Sequence, residues 1–212
     1  MSASLLLLVA FCPQAALLAR PYRHSPSQCA SARSFQKAGV VYLPRFLQDD
    51  LFEQVLRECR TYKSSMKLEK DSIAAGRRGR VLERRSIASK TFYSDSMASR
   101  LQTLLGVPSP FFPSDFPVEL RHYPRGSGMQ WHKARTQQGG NRVQPSCHVC
   151  VQDDLMYTKP QCECVFTLEN DSNSKTEWID AQMVEVSLWT EPNSMVVFLA
   201  GWPKPSSYNH HE

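Results

Sequence analysis

Tyr123-Pro-Arg-Gly-Ser-Gly-Met-Gln-Trp-His-Lys133 carries a histidine just after a glycine-rich turn, and the position two residues beyond that histidine is Ala134. An acid next appears at Asp153-Asp-Leu-Met-Tyr-Thr-Lys-Pro-Gln161, ahead of an apolar and aromatic run with strand character. Joining Lys133 directly to Asp153 gives Trp-His-Lys-Asp-Asp-Leu-Met-Tyr, in which His132 and Asp153 stand as His-x-Asp. The residues between, 134 to 152, are polar and punctuated by Gly and Pro, which is loop composition. They read as a retained in-frame intron or a late insertion, with an ordinary long surface loop as the alternative. An insertion there is tolerable if its ends stay close, because loop-closure cost grows slowly with length.

The chemistry of such a pattern is specific. A strand end bearing His-x-Asp supplies two of the three protein ligands of a non-haem iron site, whose two-histidine, one-carboxylate face leaves coordination positions open. His132 and Asp153 are therefore the expected metal ligands. Met129 and Trp131 are read as packing residues.

Outward from this stretch the periodicity changes once. After the strand-like Val40-Val-Tyr-Leu43, Asp49 or Asp50 is expected to cap a helix whose Leu51, Phe52, Val55, Leu56, Cys59 and Tyr62 recur on one face. A second helix is expected from Ser96 through Leu101, Leu104 and Leu105, stopping at Gly106. Beyond it the period becomes two. Val118–Tyr123, Cys162–Leu168 and Val186–Trp189 alternate, while Met195–Leu199 is a continuous apolar run suited to a strand buried on both faces. Turns are expected at Pro124–Gly128, Asn170–Ser174 and Glu191–Ser194. Helices followed by short strands predict an α+β fold, with N-terminal helices packed on a double-stranded β-helix of jelly-roll, cupin-like form.

The segment from Val40 to Gly201 resembles the iron(II)- and 2-oxoglutarate-dependent oxygenases, in their prolyl 4-hydroxylase-like branch. The matching pieces are Gly39-Val-Val-Tyr-Leu-Pro-Arg-Phe-Leu47, Tyr123 to His132, Cys164-Val-Phe-Thr-Leu-Glu-Asn170 and Glu191-Pro-Asn-Ser-Met-Val-Val-Phe-Leu-Ala-Gly201. The resemblance implies an enzyme that binds Fe(II) through His132, Asp153 and a later histidine. It also implies 2-oxoglutarate as cosubstrate, with ascorbate a candidate reductant beside it, and a peptide or small-molecule substrate. Hydroxylation of a peptidyl proline or a related C–H bond is the implied reaction, and Tyr123 stands where the family often places a tyrosine near the cosubstrate. The reading of Tyr123 from its surroundings alone is a wedge in the core.

The resemblance departs from the family at the C-terminal end. Members continue into a turn, the second metal histidine and a basic cosubstrate residue, whereas here Gly201 leads into Trp-Pro-Lys-Pro-Ser-Ser-Tyr-Asn-His-His-Glu212. Pro205 sits where the histidine is expected. His210 and His211 reach the site only if Trp202 to Asn209 loops back, and Lys204, flanked by prolines, is the basic residue left for 2-oxoglutarate. Residues 202–212 are thus a divergent tail, and catalysis by this chain is set against two alternatives. One is a non-catalytic jelly-roll binding module. The other is a zinc-stabilised interaction protein built on Cys147, Cys150, Cys162 and Cys164.

Composition bounds these readings. The chain has 212 residues, enough for one core after a leader is set aside, and nothing in it repeats. Its formal charge of +5 is densest at Arg77-Arg78-Gly79-Arg80 and Arg84-Arg85. That run reads as solvated loop, and without interleaved aromatics it gives no nucleic-acid platform. Leu5 to Ala19 is apolar but interrupted by Cys12, Pro13 and Gln14, too short for a stable membrane span and suited to a signal-peptide core. Arg20 to Lys37 is basic, serine-rich and free of acids, as transit peptides are. The expected organisation is a leader over 1–37, an oxygenase-like domain over 38–201 and the tail. The expected destination is the secretory pathway, with the plastid beyond it and plain secretion as alternative. Seven cysteines at irregular spacing give weak support for a disulfide framework. Cys162 and Cys164 alternate with Phe166 and Leu168, as small apolar residues of a buried strand face do.

Overall fold

A computed structural model describes residues 3–13, 35, 38–70, 72, 74–106, 111–113, 116–127, 161–172, 174–179 and 184–200. His132, Asp153, Lys204, His210, His211, Cys147, Cys150 and the segment 134–152 lie outside them.

The architecture is mixed helix and antiparallel sheet. In chain order the elements are β1 (Ala3–Pro13), β2 (Val40–Leu43), α1 (Asp49–Thr61), a short 3-10 turn (Lys63–Ser65), β3 (Lys67–Leu68), β4 (Arg78–Val81), α2 (Ile87–Phe92) and α3 (Asp95–Leu105). There follow β5 (Phe111–Pro113), β6 (Glu119–Pro124), β7 (Gln161–Asn170), β8 (Thr176–Ile179), β9 (Glu185–Leu188) and β10 (Ser194–Ala200). The large sheet runs β2-β10-β7-β1-β6-β4-β3, with β5 paired to the far end of β1, and β8-β9 form a separate hairpin.

The apolar stretch read as a signal core is the central strand of this sheet. Leu5 to Leu8 pair with His122 to Glu119 of β6 on one side, and Leu6 to Phe11 pair with Thr167 to Cys162 of β7 on the other. Ala3–Pro13 is thus part of the described sheet, whatever its role as a leader. Leucine on both parities suits a strand covered on both faces: Leu5, Leu7 and Val9 enter the main core, and Leu8 is buried on the other side.

The helices cover one face of the sheet. Val55, Leu56 and Cys59 of α1, Phe92 of α2 and Leu101 and Leu105 of α3 meet Leu120, Cys164, Phe166, Leu168, Met195 and Val197 in one cluster. Phe166 is its hub, with ring centroids of Phe92, Phe52 and Phe46 at 5.1, 6.2 and 6.3 Å in tilted or edge-on arrangements. Helix ends follow simple capping chemistry. The Ser94 hydroxyl accepts from Met97 N at the start of α3, and Gly106 closes it at φ 63°, so the stop expected at Gly106 is where the helix ends. For α1 the expected aspartate cap is corrected: Gln48 holds the cap position without a side-chain bond, and Asp49 and Asp50 fill the first turn, where negative charge meets the helix dipole. α2 was not legible, because its six residues are too few for a periodicity. It is fastened instead by Glu58, whose carboxylate accepts from Ile87 N at 2.9 Å and Ala88 N at 3.0 Å.

The expected loop at Arg77–Arg85 is also corrected. Arg78–Val81 is a strand paired with Glu119–His122, and Arg77 is fully buried.

Asn193 locks the first strand–helix loop to the last strand. Its side chain accepts from Leu47 N at 2.9 Å and donates to Leu47 O at 2.9 Å, while its backbone accepts from Phe46 N at 2.7 Å and donates to Thr167 O at 2.9 Å. It does so at φ 62°, a conformation that asparagine tolerates better than most residues. Asn193→Ala is expected to lose about 2–4 kcal/mol in urea unfolding, from two buried hydrogen bonds and the added backbone strain. Asn193→Gly, which removes the strain, is expected to lose less.

Candidate functional site

Strand alternation divides β6 between two environments. Leu120 points into the helix-covered core, so Glu119, Arg121 and Tyr123 project from the opposite face. That face carries the sequence-predicted Tyr123 and, beside it, a set of charges. Arg77 donates to Glu69 Oε2 through Nε at 2.9 Å and Nη2 at 2.5 Å, and its guanidinium carbon lies 5.9 Å from the Tyr123 ring centroid. Arg121 Nη2 donates to Glu119 Oε2 at 2.5 Å. Arg77 and Arg121 are buried. Burial and the charge of Arg121 press on Arg77, yet Tyr123 and Glu69 outweigh them and its pKa is raised, so it stays a cation.

The neighbourhood explains a glycine. Gly79 sits opposite Arg121 in the β4–β6 register, and a Cβ there would fall 2.1 Å from a Glu69 carboxylate oxygen. Glycine is what lets Glu69 approach the strand and meet Arg77. The same face of the sheet meets the small hairpin further along, where Trp178 of β8 stands edge-on to Phe198 of β10 at 5.8 Å.

Tyr123 is half-buried at the end of its strand, not a wedge in the core. Pro124 follows it, then a turn through Gly126 at φ 77°, the expected turn. Its position, next to two arginines and at the end of the strand leading towards His132, is that of a residue able to orient an anion or a polar substrate. The two guanidiniums are matched by two carboxylates, however, so the set of four is neutral. Arg77, Arg121, Glu69 and Glu119 were missed as site residues. The Glu119-x-Arg121-x-Tyr123 alternation was a usable signal, whereas Arg77 lay in a run whose composition argued for solvent.

The helix-covered face holds a second ion network. Glu169, on β7, accepts from Arg60 Nε at 2.6 Å and Lys63 Nζ at 2.5 Å. Burial alone would raise its pKa, but the hydrogen bonds and charges of Lys63 and Arg60 prevail and hold it below the ordinary 4.5. His122, on the same side, is pushed below its ordinary 6.5 by burial and by Lys63 and Arg78, with Glu169 opposing. Cys59 is raised to about 12 by burial and the carboxylates of Glu58 and Glu169.

Among the described residues no group of three or more His, Cys, Asp or Glu is placed to hold a metal. Cys162 and Cys164 are buried in the hydrophobic cluster beside Phe166, as their alternation implied. Burial raises the Cys164 thiol well above its usual range. No described helix is long and apolar enough to cross a membrane.

Neither protein-family models nor curated proteins match this chain. Among solved structures, the chain is similar to a prolyl-4-hydroxylase from Pseudomonas putida, with a TM-score of 0.57 and 17% identity over 83% of this chain and 88% of that one. The fold is therefore prolyl-4-hydroxylase-like.

Two outcomes follow from the ion pairs. Arg77→Leu is expected to destabilise the protein by about 2–4 kcal/mol, because Glu69 is left in a partly buried site without its partner. Glu169→Gln is expected to cost roughly 1–3 kcal/mol at neutral pH. A carboxylate whose folded pKa is depressed stabilises above its unfolded value of 4.5 and ceases to as pH falls through the folded value. The gap between wild type and Glu169→Gln in urea titrations should therefore be constant near neutrality and close below pH 4.5.

Proposed function

We propose that this chain is an iron(II)- and 2-oxoglutarate-dependent oxygenase of the prolyl-hydroxylase kind, hydroxylating a peptidyl prolyl or related C–H bond on a double-stranded β-helix. The observation that carries the reading is the fold likeness over most of both chains, joined to the His132 and Asp153 pattern eight and more residues beyond β6. With dioxygen as the oxidant, a bound Fe(II) and 2-oxoglutarate would supply the chemistry that removes hydrogen from an unactivated carbon. His132 and Asp153 would hold the metal. Tyr123 would orient the cosubstrate, its ring backed by Arg77 at 5.9 Å.

The fit differs between the two groups. Imidazole and carboxylate are the donor types iron uses, so His132 and Asp153 suit it. Arg77 and Arg121 suit 2-oxoglutarate less well, because each already faces a carboxylate, Glu69 and Glu119. A dicarboxylate held here would draw its positive charge from Lys204 or from a rearranged arginine. That balance of charge favours a second reading, in which the sheet serves as a non-catalytic binding module that retains the fold.

Anaerobic Fe(II) titration of the full chain, followed by 2-oxoglutarate, separates the two. The enzyme reading expects a weak visible charge-transfer band that disappears in His132→Ala and in Asp153→Ala, with unchanged far-ultraviolet circular dichroism. A folded protein that takes up no iron would leave the binding module. The full chain is required because β1 is part of the sheet.

A further inference from the structure

β1 enters the sheet from outside its sequence neighbourhood. It lies between β6 and β7, which belong to a different part of the chain, and its tie to the next described residue, Phe35, runs through residues 14 to 34. A tie of that length, 21 residues, reaches up to about 70 Å when extended. Without β1, β6 and β7 would face each other across a gap one strand wide. Each would present an unpaired edge, and the core would lie open where Leu5, Leu7 and Val9 now close it beside Leu120 and Phe166. The gap has a clear specification. It accepts an antiparallel strand, asks for apolar side chains at alternate positions on the helix side, and tolerates leucine on the other, where Leu8 is buried.

We propose that the gap between β6 and β7 is a strand-binding site and that Ala3–Pro13 is a donor segment filling it in cis, one that the site will exchange for the same strand supplied in trans. The segment whose composition suits a secretory core is then the piece the sheet needs. Processing that removed residues 1–37 would empty the site and leave it to bind an extended apolar strand. This inference involves no iron and stands apart from the proposed activity.

Register gives the first test. Val9 lies opposite Cys164, and directly opposed residues of an antiparallel pair have Cα atoms about 4.5–5.5 Å apart, within the range that a disulfide spans. Refolded from urea under oxidising conditions, so that both thiols are reactive before burial, full-length Val9→Cys is expected to cross-link within one chain to Cys164, as shown by peptide mapping. Leu8→Cys, opposite Val165 and facing the other side, is expected not to reach Cys164. Equal cross-linking of both variants, or none in a folded Val9→Cys protein, would overturn the placement.

Exchange gives the second. A protease site introduced between residues 14 and 34 allows the folded protein to be cut after purification. The cut protein is expected to keep the donor strand through gel filtration, and its urea midpoint should rise with protein concentration, as for any non-covalent complex. In mild urea it is expected to take up a labelled peptide of residues 3–13, and not one with Leu5, Leu7 and Val9 replaced by Asp. Loss of the strand with no change in stability, or a folded cut protein that refuses the labelled peptide, would sink the proposal.

Discussion

Everything in the large sheet depends on one strand having partners on both edges and cover on both faces. β1 joins β6, β4 and β3 to β7, β10 and β2, and no other described strand links those two groups. Backbone hydrogen bonds within a low-dielectric interior leave little tolerance for an unfilled edge, because every unpaired amide or carbonyl there carries a desolvation cost. The aromatic hub at Phe166 sits on the strand beside β1. The packing of α1 and α2 onto it thus presupposes that β1 is in place.

Around that sheet, charge is used differently on each face. On the helix side, Glu169 gathers Arg60 and Lys63 from the end of α1 and its following turn, tying the helix to β7 through a buried carboxylate and two half-exposed cations. On the opposite side, Arg77 and Arg121 are buried and matched one for one by Glu69 and Glu119. Buried pairs of this kind contribute modestly to stability but strongly to which arrangement is allowed, since separating either pair strands a charge. The first ties the residue after β3 to the residue before β4, and the second lies within β6, two residues from Tyr123.

Much of the architecture was readable in the residues. The stop at Gly106 and the strand at Met195 each express a local rule: a left-handed cap that glycine meets without strain, and a doubly covered strand that is apolar throughout. Cys162 and Cys164 were readable for the same reason, since period two assigned them to the face of Phe166. Arg77 was not. Three arginines among four residues look solvated unless the partner carboxylate is known, and Glu69 reaches Arg77 across a turn and past a glycine. The strand β1 was not legible either, because a short leucine run has the composition of a leader and of a central strand alike, and its pairing with β6 and β7 is set by residues far along the chain.

By itself the sequence determined that α1, α3, β6, β7 and β10 become helix or strand and which side of each is apolar, because periodicity, capping and residue chemistry act over a few positions. Only the tertiary structure decided that Ala3–Pro13 fills the middle of the sheet and that Arg77 and Arg121 are buried and neutralised beside Tyr123. Both depend on pairings between residues far apart in the chain, where burial and charge are set by whatever the fold brings alongside.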